Sequence, residues 1–293
     1  MNVVVFGFGY TALRFAALRP HNRYFCTWRY QPGASAPNGE NISAFPFAGT
    51  GDDRALRDKI AAADAALISI PPDADGDPTL RRFVGDLVAA RSLRHVLYLS
   101  TIGVYGDAGG AWIDETAPRA ATSERGLQRI RAEDSWLKVC GEASWRLSIL
   151  RLAGIYGPGR NVIEKLRQGD ARRIVKPGQV FNRAHVDDIG QMIDRVVATD
   201  AGGKAEAWNV ADDEPAPPQD VIAFAAGLIG MAAPAEEPFE GSSLSPMARS
   251  FYGDNKRVSI AKAKARLGYA PLYPTYREGL MAIDRGRSSG RAP

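Results

Sequence analysis

Three small residues at fixed spacing, Gly7, Gly9 and Ala12, follow directly on the apolar run Val3-Val4-Val5-Phe6. Each has a physical job if a buried strand ends there and a helix begins at Tyr10-Thr11-Ala12-Leu13. Gly7 permits a tight strand-to-helix turn. Gly9 has no Cβ, so an anionic diphosphate can approach the backbone. Ala12 lets the helix pack closely on the strand. The first amides of the helix, with its dipole, then face the anion, with Phe8 and Tyr10 sharing the loop. The alternative is a glycine turn that only connects two elements.

Further chemistry is expected beyond the carboxyl ends of the strands, where open α/β sheets hold their ligands. Those ends are Gly7-Phe8-Gly9, Arg29, Ile70-Pro71 and Ser100-Thr101. A ribose with a free 2′-hydroxyl is usually met by an acid after the second strand. Here Thr27-Trp28-Arg29 stands there instead. A guanidinium suits a 2′-phosphate, because it offers several charge-assisted donors. NADP(H) is therefore expected over NAD(H), with NAD still possible. Otherwise Arg29 is a solvated loop charge or a platform for adenine.

The elements that must position these residues alternate. Tyr24–Trp28, Ser43–Phe47, Ala65–Ile70, His95–Ser100 and Trp145–Arg151 read as strands. Helical spacing follows Asp52, Leu80 and Ser123. Continuous apolar runs such as Ala65-Ala66-Leu67-Ile68 suit parallel strands covered on both faces. The alternation predicts an α/β fold, a Rossmann-type doubly wound parallel sheet with a smaller C-terminal substrate lobe. Residues 1–152 and 183–210 are assigned to the dinucleotide-binding domain, 153–182 and 211–285 to the lobe, and 286–293 to a disordered tail. Asp220 is expected to cap a helix, and 231–247 to form a long surface loop.

The bulk properties narrow the class. The chain has 293 residues, 45% hydrophobic and 24% charged, with net charge +4. Its basic residues are dispersed among acids, with no aromatic-interleaved basic stripe, so a nucleic-acid partner is not expected. Cys26 and Cys140 lack metal-ligand spacing and fit buried thiols in a reducing compartment. The three histidines, His21, His95 and His185, make no metal motif. With no membrane span and no leader in view, a cytoplasmic location is expected.

Several segments together resemble a known family. They are Gly7-x-Gly9-x-x-Ala12, Leu99-Ser100-Thr101-Ile102-Gly103-Val104-Tyr105-Gly106, Leu150-Arg151-Leu152-Ala153-Gly154-Ile155-Tyr156-Gly157-Pro158-Gly159, Arg183-Ala184-His185-Val186-Asp187-Asp188-Ile189 and Asn209-Val210. In this order they resemble the extended short-chain dehydrogenase/reductases, the NAD-dependent epimerase/dehydratase group. Asn255–Ser259 and Leu267-Gly268-Tyr269 resemble an atypical branch.

The resemblance implies a Ser/Thr, a Tyr and a Lys acting on a substrate oxygen. Thr101 matches the Ser/Thr; its other reading is a strand-end hydroxyl bonding local backbone. The Tyr-x-x-x-Lys pair is missing. Counting back from Ala132-Glu133 puts Arg125 at the Tyr position and Arg129 at the Lys position. A guanidinium does not release its proton near neutral pH. Arg125 is then a candidate for oxyanion or carboxylate binding, and Arg129 for the cofactor ribose or phosphates, unless both are exposed helix charges. Tyr105 is the nearest substitute phenol, or else a packing residue. Tyr252-x-x-x-Lys256 matches the string in a loop-like segment, where chance explains it better. His185 reads as structural at a helix entry. Tyr156 and Arg183, by family position, border the substrate pocket.

The expectation is an NAD(P)-binding oxidoreductase or epimerase/dehydratase-like protein of atypical site, acting on an unknown carbonyl or sugar-nucleotide-like small molecule. The rival is a non-catalytic, redox-sensing or regulatory dinucleotide binder. A homodimer through the helices near Leu80 and after Ser123 is expected by analogy only.

Overall fold

The computed structural model describes residues 1–29, 35–47, 53–199 and 204–288. In chain order the first elements are β1 (Asn2–Phe6), α1 (Tyr10–Leu18), β2 (Arg23–Trp28), β3 (Ile42–Pro46), α2 (Arg54–Ala61), β4 (Ala65–Ile68), α3 (Pro78–Ala89) and β5 (His95–Thr101). A 3-10 turn over Ile102–Tyr105 leads to β6 (Trp112–Ile113), α4 (Glu124–Glu142), β7 (Arg146–Leu152), β8 (Gly154–Tyr156), α5 (Val162–Gln168) and β9 (Arg173–Val175). Then come β10 (Arg183–His185), α6 (Val186–Ala198), β11 (Ala205–Val210), α7 (Pro218–Leu228), β12 (Glu236–Pro238), α8 (Pro246–Ser250), β13 (Arg257–Val258), α9 (Ala261–Leu267) and α10 (Tyr276–Ser288).

Seven strands form one parallel sheet in the order β11-β7-β5-β4-β1-β2-β3. The order reverses beside β1, which pairs with β2 on one side and β4 on the other. That switch point opens a crevice at the carboxyl ends of β1 and β4. Val3 to Phe6 and Ala65 to Ile68 are buried throughout. This is why those strands read as unbroken apolar runs. Phe6, Phe83, Leu87, Tyr98 and Trp136 belong to one apolar cluster that the helices complete.

The chain divides into two compact units. The first comprises Met1–Val104, Glu124–Arg151 and Ile189–Trp208, and the second Tyr105–Ser123, Leu152–Asp188 and Asn209–Pro293. Sequence placed 105–123 and 183–188 with the first. The difference has a physical reason in two parallel pairs within the second unit, β6 with β13 and β10 with β8. Tyr156, Ile163, Val221, Ala225, Tyr276 and Leu280 pack in the core of the second unit.

Three local expectations are corrected. Asp220 lies inside the first turn of α7, whose N-cap is Pro217. The stretch 231–247 contains β12, paired with β9, and the start of α8. The expected tail from residue 286 is helical through Ser288, and 289–293 lie outside the described residues. Among the described residues no helix is long and apolar enough to cross a membrane.

Candidate functional site

The turn after β1 is built as its residue types require. Gly7 has φ +91, a conformation that L side chains rarely adopt. A Cβ there would also meet Ile70 Cγ1 at 2.8 Å and the Ile70 nitrogen at 3.0 Å. The turn is fastened to β2. The Gly7 amide donates to Thr27 Oγ1 at 2.8 Å, and the Phe8 amide to the Thr27 carbonyl at 2.9 Å. The Gly9 amide closes back on the Gly7 carbonyl at 2.9 Å.

Gly9 is different. Its backbone is extended, with φ −91 and ψ −166, which any residue adopts. A Cβ at Gly9 would meet nothing within 4 Å. The protein's own packing therefore gives no reason for a glycine, whereas a ligand resting on the backbone would. Leu13 donates the first helical bond of α1, to the Gly9 carbonyl at 2.9 Å. The amides just before it have no carbonyl four residues back in the helix, which is the usual anion-binding end. Ala12 is 1% exposed, as close helix packing demands.

Around the same crevice, the Ser69 and Ile70 amides donate to the Phe6 carbonyl at 2.8 and 3.1 Å. This sets Ile70 against the Gly7 turn. Pro71 follows and is exposed. Arg29 comes directly after β2 and is exposed too.

At the end of β5, Thr101 is half-buried, and its Oγ1 accepts from the Gly103 amide at 3.1 Å. The local backbone bond is thus made. With one lone pair so engaged, the hydroxyl proton is left to point at an acceptor. Arg125 is exposed and has no ion-pair partner among the described residues. Arg129, one helical turn on, is engaged. Its Nη1 donates to the Leu99 carbonyl at 2.7 Å and the Tyr98 hydroxyl at 3.2 Å. Its guanidinium carbon lies 5.7 Å from the Tyr98 ring centre. This contact with β5 was not expected from the sequence. The cause is the reach of a forked side chain to the Leu99 carbonyl near the end of β5.

Sequence reasoning missed the polar cluster behind Thr101. Ser100 Oγ donates to Glu133 Oε1 at 2.6 Å, and Arg151 grips both Glu133 oxygens, at 3.2 and 2.8 Å. Glu133 is fully buried, and Arg151 is 6% exposed. The signal was present: an arginine inside the apolar run Leu147–Leu152 demands a buried partner. Asp77 was missed as well. It is buried, caps α3 by accepting from the Thr79 and Leu80 amides, and accepts from Trp136 Nε1 at 3.0 Å. Burial raises its carboxyl above the usual range.

In the second unit, Tyr105 is 3% exposed, and its hydroxyl donates to Asn209 Oδ1 at 2.7 Å. Its hydroxyl is thus engaged inside the second unit. Tyr252 is buried, and Lys256 Nζ bonds the Gly106 carbonyl and Asp254. That pair is structural. His185 Nδ1 accepts from the Asp187 amide at 3.2 Å at the helix entry, and its ring packs edge-on to Tyr156 and Tyr273.

Arg183 Nη1 donates to the Phe181 and Ala216 carbonyls, and its guanidinium carbon lies 5.9 Å from the Tyr276 ring centre. Asp212 is 2% exposed, and neither carboxylate oxygen has a hydrogen-bond partner. Burial pushes it up to about 8, partly opposed by the Arg183 charge. The Tyr156 hydroxyl is likewise buried without a partner, and burial raises it far above its ordinary value. No cluster of metal-ligating side chains occurs among the described residues.

The sheet order and the switch-point turn define a Rossmann-type α/β fold. Residues 82–211 match the model of the NAD dependent epimerase/dehydratase family. A structure of a functionally unknown conserved protein from Silicibacter pomeroyi is 43% identical, covers 97% of this chain and 98% of that one, and superposes with a TM-score of 0.87. UDP-glucuronic acid 4-epimerase from Bacillus cereus, solved in complex with NAD, shares the fold at 17% identity, with 98% and 99% of the two chains covered and a TM-score of 0.74. Protein YeeZ of Escherichia coli K12 is 36% identical over 109 residues, 36% of this chain. That match spans 38% of the YeeZ length.

Proposed function

We propose that the chain binds a nicotinamide adenine dinucleotide and acts as an oxidoreductase or epimerase/dehydratase-like enzyme of atypical site. The observation that carries this reading is the open space beside Gly9, a glycine that the protein's own packing does not require. The diphosphate would rest on the Gly7-Phe8-Gly9 turn and the first amides of α1, with Ile70 and Pro71 along the edge of the crevice. When bound, the cofactor supplies a hydride donor or acceptor. NAD in complexes of structures sharing this fold supports the assignment.

Arg29, exposed after β2, supports NADP(H) over NAD(H). Thr101 then acts as a hydrogen-bond donor, because its oxygen already accepts from Gly103. A donor polarises a substrate oxygen and stabilises charge developing there. Arg125, a fixed cation with no other partner described, can stabilise an oxyanion but cannot shuttle a proton. The substrate class proposed is a carbonyl or sugar-nucleotide-like small molecule.

One observation favours a second reading, a regulatory dinucleotide binder. The candidate substitute phenol and the side chain at the Lys position are both engaged within the protein, Tyr105 on Asn209 and Arg129 on Leu99. The test is NADPH and NADH titration of purified protein, followed by a carbonyl and sugar-nucleotide panel. Binding with turnover that Thr101→Ala abolishes supports the enzyme. Binding with no turnover on any compound supports the regulator. Absence of binding removes both.

A further inference from the structure

Arg129 and Glu133 lie four residues apart on α4, so they share one face of the helix. Both reach the last residues of β5. Arg129 Nη1 donates to the Leu99 carbonyl at 2.7 Å, and Glu133 Oε1 accepts from Ser100 Oγ at 2.6 Å. The next residue is Thr101. A strand end is ordinarily free to fray, because its final groups lack a neighbour. Here one helix face grips two consecutive residues, one through backbone and one through side chain.

The grip is itself braced. Arg151 on β7 holds both Glu133 oxygens, so the carboxylate cannot rotate away from Ser100 without breaking a buried charge pair. Tyr98 stiffens the other arm, since the Arg129 guanidinium lies near its ring and bonds its hydroxyl. The Trp136 ring, on the same helix, packs 6.4 Å from Tyr98 between centres. Every side of the grip belongs to the first unit.

We propose that Arg129 and the Ser100–Glu133–Arg151 cluster are positioning residues that fix the direction of the Thr101 hydroxyl. On this account the cation at position 129 acts on the strand and not on the cofactor. The inference rests on the reading of Thr101 as the polarising donor. The clamp itself is testable in protein without ligand.

The experiment uses full-length chain with 13C-methyl-labelled threonine, and three variants: Arg129→Met, Arg129→Lys and Ser100→Ala. Ser100→Ala leaves the buried Glu133–Arg151 pair intact, so it guards against a variant that fails to fold. The Thr101 methyl resonance, assigned by loss in Thr101→Ala, is expected to shift and broaden in Arg129→Met and Ser100→Ala. It should recover in Arg129→Lys, whose ammonium can still donate to a carbonyl. ADP affinity should stay within about twofold of wild type in all three, while bound-NADPH fluorescence, which reports the nicotinamide end, changes in Arg129→Met and Ser100→Ala.

An unshifted Thr101 methyl in Arg129→Met and Ser100→Ala overturns the clamp. So does an Arg129→Met variant that loses ADP or NADPH affinity while the methyl stays in place, which makes Arg129 a cofactor ligand. If no nucleotide binds to wild type but the methyl moves as expected, the clamp stands and the functional reading falls.

Discussion

At the scale of single residues, Gly7 and Gly9 make opposite demands. Gly7→Ala puts a Cβ on a backbone at φ +91 and 2.8 Å from Ile70, so a loss of about 1–3 kcal/mol in unfolding free energy is expected. Gly9→Val has open space and an extended backbone, so its cost in stability should stay near or below about 1 kcal/mol. Its cost in nucleotide affinity should be about a hundredfold or more, because the new methyls occupy the place of the diphosphate. Denaturant melts and nucleotide titration on the two variants check both statements. Equal effects on both quantities would contradict them. Arg29→Asp should reverse the NADPH preference by about tenfold or more, since a carboxylate repels a 2′-phosphate and accepts from a 2′-hydroxyl. An unchanged affinity ratio would remove Arg29 from the account.

At the scale of elements, α10 offers a sharp test. A Cβ at Gly279 would fall 2.1 Å from the Tyr156 hydroxyl, which is itself buried without a partner. Gly279→Ala should cost about 1–3 kcal/mol through overpacking. Tyr156→Phe should be neutral or slightly stabilising, because it deletes an unsatisfied polar atom. The double variant should recover part of the loss, since the Cβ would still meet Tyr156 Cε2 and Cζ at 2.8 Å, and simple additivity of the two melts would refute the contact. The strands were legible in sequence because β1, β4 and β5 are covered on both faces and so read as unbroken apolar runs. The turn after β1 was legible because few residue types tolerate the geometry at Gly7. What was not legible depended on partners distant in sequence. Glu133 looked like any helix charge until Arg151 and Ser100 were seen around it. The grouping of 105–123 with the second unit was not legible because β6 pairs with β13, well over a hundred residues later. The contact of Arg129 with the Leu99 carbonyl was not legible, because spacing alone does not say which carbonyl a guanidinium will reach.

At the scale of the whole molecule, buried ionisable groups oppose each other in pH. His95 bonds Ser148 Oγ at 2.9 Å, and burial, helped by the Arg146 charge, pushes it down to about 3 from 6.5. The unfolded chain binds that proton more tightly, so this contribution is lost as pH falls from 6.5 toward 3. Asp212, pushed up to about 8 from 3.8, and Asp188, pushed up to about 6, behave the other way. The folded state binds their protons more tightly, so their contribution is lost as pH rises through those values. Asp212→Asn should therefore gain in Tm over wild type at pH 9 by more than at pH 4, and a constant difference would contradict the burial argument. Ligand binding to the folded state alone should raise Tm with nucleotide concentration. The function proposed for the molecule requires that the space beside Gly9 receive a diphosphate. Calorimetric titration of NADPH and NADH into wild type and Gly9→Val decides it. Saturable heat with wild type and none with an equally stable Gly9→Val is the predicted result. No heat with either nucleotide, or equal affinity in both proteins, would contradict it.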